Sequence, residues 1–493
     1  MKNNWQTSCY ANLGTSGSGV SETSSSRATV DLGYKLISKR LGLIHSLAER
    51  RSGLDNFSLT DYVAWLGDSR PVTSSSVQKV NGGNSPDRIK ALAAAIGESV
   101  ERYSLSLYHP TKLKWATFQE IGTSGCKLED LTWFLDEQYQ APEFPLLKPN
   151  QDWKTARYVA WVEGYSSAKQ SKIYFPASLV FLPYSFGPNE PAFSYQVSSG
   201  TSCARSLYEA ALRATLEVIE RDALTICWES RSPYPAINQA VVAEAASNLF
   251  SSISSISSIG RLARSVELYA YDITTDLEIP VILTLAVASQ GGSPAIAIGV
   301  AADFDAWSAL SKSVAEAITS WRSTAYLCRE EKRSAPEILA DMRRRTVLTD
   351  HALYYSHKES LSHFNFLLDA PLSLKAPNRF NCPAKPRLGG NNAQPENSQA
   401  LLSECKNRLS QAGHDLLLFD LTQTDIAEAG LYVVRAIVPT LVRQTIGLFV
   451  RHLRNPRIWE VPHRLGYASQ SNSSASAGGI SQNDLLRNLH PFP

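Results

Sequence analysis

The sequence contains no apolar run long enough to cross a membrane. Its longest apolar runs, Ile279 to Val287 and Leu431 to Val438, are far shorter than the roughly 20 residues that a membrane-spanning helix needs. The first residues, Met1 and Lys2, lead into Gly, Ser and Thr and not into an apolar segment, so they do not read as a secretory signal. We therefore expect a cytoplasmic protein with no membrane contact.

The sequence also lacks an excess of charge of either sign. It has 48 basic and 46 acidic residues, which gives a net charge of +2. Proteins that bind nucleic acids or anionic membranes usually carry a basic surface, and this balance gives no such signal. We expect no nucleic-acid partner.

Paired cysteines and phosphate-binding loops are absent as well. The seven cysteines are an odd number and no Cys-x-x-Cys occurs, which argues against a disulfide framework and against a zinc ribbon. The sequence has neither a Gly-x-x-x-x-Gly-Lys-Ser/Thr loop nor a dinucleotide-binding glycine pattern. A nucleotide site would therefore have to be built from other residues.

What is present is an ordinary globular composition, with 43% hydrophobic and 19% charged residues over 493 positions. Gly, Ser and Thr dominate residues 11–28, and such a segment cannot bury enough apolar surface to become ordered. We predict a flexible segment over residues 1–30 and one domain over residues 31–493. Alternating residues from Tyr34 to Leu47 predict a strand or hairpin where this domain begins.

Helical and strand-like patterns alternate through the domain. Apolar residues recur at helical spacing over residues 86–107, 206–228 and 306–327. Runs typical of β-strands occupy residues 279–287, 415–420 and 431–438. This interleaving predicts an α+β (mixed α/β) fold but does not fix the order of its strands.

One local pattern, Glu-x-x-Glu-Arg, occurs on the first and on the second predicted helix. Its members are Glu98, Glu101 and Arg102, and Glu217, Glu220 and Arg221. At 3.6 residues per turn, both carboxylates and the guanidinium of each motif lie on one helix face. Taken singly, either motif is better explained by a solvated helix face with a weak Glu–Arg ion pair.

The flanks of both motifs favour buried helices. Residues 91–96 read ALAAAI and residues 210–216 read AALRATL, and helices this rich in small apolar residues tend to be packed inside a protein. Four carboxylates on two packed helices would repel strongly unless divalent cations neutralised them, and magnesium prefers oxygen ligands. The adjacent Arg102 and Arg221 could bind phosphate oxygens. The residues thus suggest a magnesium–nucleotide site.

Several segments resemble motifs of the YcaO family, in order along the chain. AAIGESVERYS (94–104) is similar to the family's SALGEAIERYS, and SGTSC (199–203) with EVIERDA (217–223) is similar to its NGTACH and EVIERDA block. Further similar segments are LISKRLGLIHSL (36–47), DLTQTD (420–425), GLYVVRAIVP (430–439) and the final HPFP (490–493). The resemblance covers about residues 35–493. It implies that residues 31–493 form a YcaO catalytic domain that ends in the Pro-Phe-Pro tail.

The resemblance implies a YcaO-type fold with an ATP site between the two acidic helices, packed on a β-sheet. The implied magnesium ligands are Glu98, Glu101, Glu217 and Glu220. Arg221 would meet the ATP phosphates, and Ser202 and Glu209 would line the nucleotide pocket. The implied cofactors are therefore ATP and Mg²⁺.

Two family motifs are altered in this chain. Glu316 matches the first residue of the family's Glu-x-x-Gln-x-Arg, but Thr319 replaces Gln and Trp321 replaces Arg, so Arg322 becomes the candidate ATP-binding arginine. The segment VNGGN (80–84) stands where the family often has Gly-Lys-Gly. Lys79 is the candidate substitute for that lysine, with an ordinary solvated loop lysine as the alternative.

The resemblance is strongest to the YcaO (D-type) subunit of azoline-forming cyclodehydratases from microcin-type thiazole/oxazole-modified peptide clusters. It implies ATP-dependent phosphorylation of backbone amides, which turns Cys, Ser or Thr of a ribosomal precursor peptide into thiazoline or oxazoline rings. Two prolines stiffen the tail, and Pro491, Phe492 and Pro493 are its candidate catalytic residues, with a frayed terminus as the alternative. Formation of a thioamide or an amidine remains an alternative function, as does a catalytically silent peptide-binding adaptor.

The resemblance also implies partners. The 30 or so residues before the domain offer no segment similar to a leader-peptide-binding domain, so we expect a separate leader-peptide-binding protein of the E1-like or ocin-ThiF type. The precursor peptide is the expected substrate. A flavin-dependent dehydrogenase and a second copy of the chain, in a homodimer, are further candidate partners.

Overall fold

A computed structural model describes most of the chain. It covers residues 22–50, 60–67, 79–85, 87–131, 133–142, 144–251, 266–342, 348–370, 378–380, 395–444, 446 and 449–467. The predicted catalytic tail, Pro491, Phe492 and Pro493, lies outside these residues. No helix of the described part is long and apolar enough to span a bilayer.

The strands of the described part form three antiparallel sheets. A three-stranded sheet has the order β1-β2-β3 and a second has the order β10-β9-β8. The largest sheet has the order β4-β5-β11-β12-β7, with β6 also paired to β5. The strands are β1 (Ile44–Arg50), β2 (Thr60–Leu66), β3 (Val80–Ser85), β4 (Lys114–Ala116), β5 (Val159–Ser166), β6 (Ser171–Pro176), β7 (Thr201–Ala204), β8 (Val266–Asp272), β9 (Val281–Ala288), β10 (Ile296–Ala302), β11 (Leu417–Asp420) and β12 (Tyr432–Ile437).

Helices cover these sheets. The long helix α2 packs on β3, β2 and β7, α6 packs on β12, β7 and β10, and α8 packs on β10 and β9. The helices are α1 (Glu22–Gly33), α2 (Arg88–Ser106), α3 (Phe118–Ile121), α4 (Asp136–Gln140), α5 (Gln151–Thr155), α6 (Leu207–Ser230), α7 (Gln239–Ser251), α8 (Ala306–Glu330), α9 (Ala335–Met342), α10 (Leu348–Tyr355), α11 (Asn365–Leu368), α12 (Pro395–Gln411), α13 (Thr424–Ala429) and α14 (Arg457–Arg464).

This architecture confirms the predicted α+β fold. The three long helices α2, α6 and α8 fall on the three helical periodicities, and β9, β11 and β12 fall on the three strand-like runs. Each long helix begins at a polar side chain that accepts a hydrogen bond from a free backbone N–H of the first turn. Asp87 accepts from the N–H of Ile89, Ser206 from that of Glu209, and Asp305 from that of Ser308.

The N-terminal region differs from its prediction. Helix α1 already begins at Glu22, within the segment predicted to be flexible through residue 30. Tyr34–Leu36 form a 3₁₀ turn, and the first strand begins only at Ile44. The Ser- and Thr-rich sequence of α1 has a low helix propensity, but Val30 is buried in the same apolar cluster as Ile96 of α2. Tertiary packing therefore outweighs local propensity here.

Two strand glycines let long helices approach the sheets closely. A Cβ atom on Gly83 of β3 would lie 2.2 Å from the carbonyl oxygen of Ala91 and from the nitrogen of Ala95 on α2. A Cβ atom on Gly299 of β10 would lie 2.3 Å from backbone atoms of Ser313 and Ala317 on α8. Since backbone atoms cannot swing aside, only glycine permits this contact.

This close approach predicts different effects for two glycine substitutions at α2. Gly83→Ala should lower the free energy of unfolding by about 3 kcal/mol, because the new methyl group overpacks the strand–helix contact. Gly97→Ala, on α2 itself, meets no atom within 4 Å and should raise it by up to about 1 kcal/mol, because alanine favours the helix. Thermal unfolding of both variants without nucleotide checks this, and equal melting temperatures would contradict it.

Candidate functional site

Five largely buried glutamates share one hydrogen-bonding pattern. Each directs one carboxylate oxygen to a backbone N–H on or beside a β-strand, so the strands fix where the glutamates lie. The hydrogen bonds run from Gly82 to Glu98 (3.4 Å), from Cys203 to Glu101 (2.7 Å), from Gly200 to Glu217 (3.1 Å), from Ala302 to Glu220 (3.2 Å) and from Val300 to Glu316 (2.8 Å). A carboxylate has two oxygens, so this leaves the second oxygen of each for another partner.

Burial raises the pKa of Glu101 and of Glu220. Desolvation raises the pKa of Glu101 to about 8, and the nearby Glu217 and Glu98 carboxylates act in the same direction. Desolvation also raises the pKa of Glu220 to about 8, and Glu316 and Glu217 add to the effect. These mutual effects show that the first, second and third long helices bring their glutamates into one electrostatic cluster.

Arg221 supplies positive charge to this cluster. Its guanidinium lies 3.0 Å from Glu220 and 3.7 Å from Glu217. Burial acts to lower the pKa of Arg221, but the surrounding carboxylates of Glu220, Glu217 and Glu316 outweigh it and raise the pKa above its ordinary value. One arginine cannot neutralise three buried carboxylates, so the cluster has room for further cations.

The cluster fits magnesium held together with a nucleotide. Within the described residues, no three His, Cys, Asp or Glu side chains converge closely enough to hold a metal ion by themselves. Magnesium does not require this, since it keeps several water ligands and is usually held by one or two carboxylates plus substrate phosphates. The oxygens of Glu98, Glu101, Glu217 and Glu220 that do not bind strand N–H groups would hold it, and the ion would add positive charge to that of Arg102, which pairs with Glu98 at 3.3 Å, and Arg221.

Two further predicted residues lie beside the cluster. Ser202 is buried on β7, opposite Val434 of β12. Glu209, in the first turn of α6, is 2% exposed; one of its oxygens pairs with Arg213 at 2.6 Å. Its other oxygen is buried and has no hydrogen-bond partner within the described residues. A buried acceptor of this kind suits a hydroxyl or amino group of a bound nucleotide.

Two predicted ATP-binding residues have other surroundings. Arg322 is buried on α8, and its guanidinium lies 3.0 Å from Asp61 of β2. The structure thus gives Arg322 a clear role in joining α8 to the first sheet. Lys79 is exposed and immediately precedes β3, and its backbone carbonyl accepts a hydrogen bond from the N–H of Leu66. Trp321, at the position of the family arginine, donates from its ring to the carbonyl of Pro294.

A cleft next to the glutamates contains residues that sequence reasoning missed. It is lined by apolar and neutral polar side chains and by three arginines: Arg221, Arg435 and Arg443. Arg435 lies on β12 and is 4% exposed. A lone arginine inside the apolar run LYVVRAIV is the signal that could have indicated it, since a buried charge in a strand requires a specific partner.

A buried ion-pair network holds one wall of this cleft. Asp222, the residue after Arg221, accepts a hydrogen bond from the N–H of Val442 at 2.8 Å. Its other oxygen pairs with Arg457 of α14 at 2.7 Å, and Arg457 also pairs with Asp276 at 2.9 Å. The segment that carries Arg443 is therefore tied to the same helix that carries Glu217 and Glu220.

Comparison with known families identifies this arrangement. Residues 82–442 match the sequence model of the family described as YcaO cyclodehydratase, ATP- and Mg²⁺-binding. The chain belongs to the YcaO family. The resemblance stated from the sequence motifs is thereby confirmed, as are ATP and Mg²⁺ as the cofactors of this YcaO protein.

Solved structures of similar fold include heterocyclases, a YcaO protein and a microcin synthetase complex. A heterocyclase in complex with substrate and cofactor has a TM-score of 0.68 and 20% identity over 94% of this chain. YcaO from Methanopyrus kandleri, bound with AMPPCP and Mg²⁺, has a TM-score of 0.54 and 17% identity, covering 84% of this chain and 88% of its own. The E. coli microcin synthetase McbBCD complex has a TM-score of 0.58 and 15% identity, covering 91% and 96%. No curated protein sequence gives a significant match.

The lengths of these proteins differ. The YcaO chain described here spans 58% of the heterocyclase bound to substrate and cofactor and 49% of the heterocyclase TruD. At identities of 20% and 21% these likenesses show the shared fold. They do not show the substrate or the partners of this YcaO protein.

The glutamate cluster predicts the effect of conservative substitutions. Glu217→Gln or Glu220→Gln should abolish magnesium-dependent ATP turnover without unfolding the protein, because a cation ligand is lost at nearly the same volume. Glu404→Gln, at an ion pair of α12 with Arg408, is the matched control and should keep full activity. ATP hydrolysis assays at saturating magnesium measure this, and turnover at the wild-type rate in either cluster variant would contradict the assignment.

The raised pKa values predict that nucleotide binding releases protons. At about pH 7, groups with a pKa near 8 are mostly protonated, and they must lose their protons to bind Mg²⁺. Because the pKa of these groups is higher in the folded than in the unfolded protein, the free energy of unfolding should fall as pH rises between the two pKa values. Mg²⁺ with nucleotide should therefore raise the free energy of unfolding more near pH 8 than near pH 6.

Titration calorimetry in two buffers of different ionisation enthalpy counts the released protons directly. The wild type should release protons on binding Mg²⁺ with a non-hydrolysable ATP analogue, and Glu101→Gln should release fewer, because one of the protonated groups is gone. A proton count of zero near pH 7, with an affinity that does not change with pH, would contradict the raised pKa values.

Proposed function

We propose that this chain is the YcaO subunit of an ATP-dependent peptide cyclodehydratase. It phosphorylates backbone amides of a ribosomal precursor peptide and converts Cys, Ser or Thr into thiazoline or oxazoline rings. The observation that carries this proposal is the cluster of Glu98, Glu101, Glu217, Glu220 and Glu316 beside an arginine-lined cleft. It supplies a place for a metal-bound nucleotide and, next to it, a place for a second reactant.

The proposed reaction balances without any oxidant. The side-chain sulfur or oxygen adds to the carbon of the preceding amide and gives up its proton, and the former carbonyl oxygen becomes the nucleophile. This oxygen takes the γ-phosphoryl group of ATP, and ADP leaves. The carbon–oxygen bond then breaks, phosphate departs with the oxygen, and the nitrogen loses its proton as the ring's C=N bond forms. The peptide has lost one water per ring.

The residues of the cluster suit this phosphoryl transfer because it needs positioning and charge stabilisation more than covalent chemistry. The glutamates hold the ion that neutralises the phosphates, and Arg221 can stabilise charge on the transferring group. Glu209 and Ser202 would orient the nucleoside.

The Cys203 thiol is no candidate nucleophile, because burial raises its pKa well above the ordinary value.

The proposed partners follow from the same assignment. The microcin synthetase whose fold this chain shares is a complex, and it has also been solved with pro-MccB17 bound. By analogy we propose that a separate leader-peptide-binding protein delivers a precursor peptide to this chain. A flavin-dependent dehydrogenase would act later, on the finished azolines.

Mass spectrometry of a precursor peptide tests the proposed function. The peptide should contain Cys, Ser and Thr and be incubated with this protein, its partner protein, ATP and magnesium. Each ring should appear as the loss of one water, and Glu217→Gln should give none. Sulfur incorporation in the presence of sulfide, with no dehydration, would replace the proposal with thioamide formation. ATP binding without any change to the peptide would favour an adaptor.

The same assay tests the proposed role of the tail. Deleting Pro491, Phe492 and Pro493 should stop ring formation and leave the affinity for nucleotide within about two-fold, because the metal-binding glutamates belong to other parts of the chain. A deletion variant that still forms rings at the wild-type rate would remove these residues from the catalytic site.

A further inference from the structure

We propose that the cleft lined by Arg435 and Arg443 is a phosphate-binding site on the peptide side of the reaction. It holds the phosphoryl group once it has left ADP, and then the free inorganic phosphate. This inference rests on the proposed function, which supplies the phosphoryl group. The binding of phosphate itself can be measured independently of that function.

The first argument is that, among the residues that the structure describes, neither of these two arginines forms an ion pair with a carboxylate. The other deeply buried arginines are paired: Arg451 with Glu229, Arg457 with Asp222, and Arg322 with Asp61. Arg435 hydrogen-bonds only to neutral acceptors, the hydroxyl of Thr201 and the carbonyls of Val197 and Leu179. Within the described residues, neither Arg435 nor Arg443 makes a salt bridge.

The second argument is that both guanidinium groups keep unused donors. Nε of Arg435 is buried without a hydrogen-bond partner in the described part of the chain, and so are Nε and Nη2 of Arg443. Arg443 is partly exposed as a whole, but these two nitrogens are not. Adjacent N–H donors of a guanidinium match two oxygens of one phosphate, so Nε and Nη2 of Arg443 form a suitable bidentate pair.

The third argument is electrostatic. Burial lowers the pKa of Arg435 to about 10; the more distant carboxylate of Glu217 acts against this shift, and the positive charges of Arg443 and Arg102 add to it. Burial lowers the pKa of Arg443 to about 10 as well. Two buried cations near each other destabilise the empty cleft, and an anion with more than one negative charge relieves both. Phosphate carries such a charge near neutral pH.

The position of the cleft selects phosphate over other anions. Arg221 lines the cleft and also pairs with Glu220 and Glu217 of the metal cluster. The anion site is therefore continuous with the place where the γ-phosphate of ATP would lie. The rest of the wall combines neutral polar residues, such as Gln196 and Gln444, with apolar ones, such as Leu179 and Leu441. The apolar residues limit the access of water to a phosphorylated amide, which water would otherwise hydrolyse.

Calorimetric titration with inorganic phosphate tests this site in the full-length protein, with Mg²⁺ and ADP present. Arg443→Met should weaken phosphate binding by about ten-fold or more, since charge-assisted hydrogen bonds are lost. Its affinity for Mg²⁺ with a non-hydrolysable ATP analogue should change by less than about two-fold, because Arg443 makes no contact with the glutamates. Arg329→Met removes an exposed arginine near the C-terminal end of α8 and should change neither affinity.

Two further arms make the outcome decisive. Arg443→Lys keeps the charge but not the bidentate geometry and should give intermediate phosphate affinity; it also serves if the methionine variant does not fold. N-acetylaspartate amide serves as a carboxylate probe. Binding of this probe in place of phosphate, or wild-type phosphate affinity in Arg443→Met, would overturn the proposal. Phosphate binding that depends on Arg443 with no peptide modification would support the site and reject the proposed function.

Discussion

Buried carboxylate charge is the constraint on which the rest of this site depends. Glu101, Glu220 and Glu316 are largely shielded from water, and each accepts a hydrogen bond from a strand N–H through one oxygen. These hydrogen bonds fix the positions of the carboxyl groups, but ionising all of them is costly unless further positive charge lies nearby. A cation must complete the arrangement, so the fold and the need for a metal-bound nucleotide follow from the same residues.

The close approach of helices to strands makes these hydrogen bonds possible. Gly83 and Gly299 let α2 and α8 lie against their strands, and the neighbouring residues Gly82 and Val300 supply the N–H donors. In the cleft beside Arg221 the charge is reversed, because Arg435 and Arg443 form no ion pair with a carboxylate in the described part of the chain. The site therefore has an anionic half suited to metal ions and a cationic half suited to phosphate.

Local periodicity predicted much of this, and long-range contacts account for the rest. The Glu-x-x-Glu-Arg spacing was enough to place four glutamates on two helices, and the apolar flanks indicated burial. Neither helix sequence alone could decide between a surface ion pair and a metal site. The decision depends on the strand N–H groups that bind Glu101 and Glu220, and these lie over 80 residues away in the sequence. Arg443 gave no signal, since its importance comes from a carboxylate that is missing nearby. Helix α1 was missed because its stability comes from contacts with α2.

The most direct test of the central claim is to locate the metal. Crystals grown with Mn²⁺ and a non-hydrolysable ATP analogue would show the ion by its anomalous scattering. The account predicts manganese between the triphosphate and the glutamates of α2 and α6, with Glu98, Glu101, Glu217 or Glu220 among its ligands. Manganese bound elsewhere, or nucleotide bound with these glutamates still facing no ion, would contradict it.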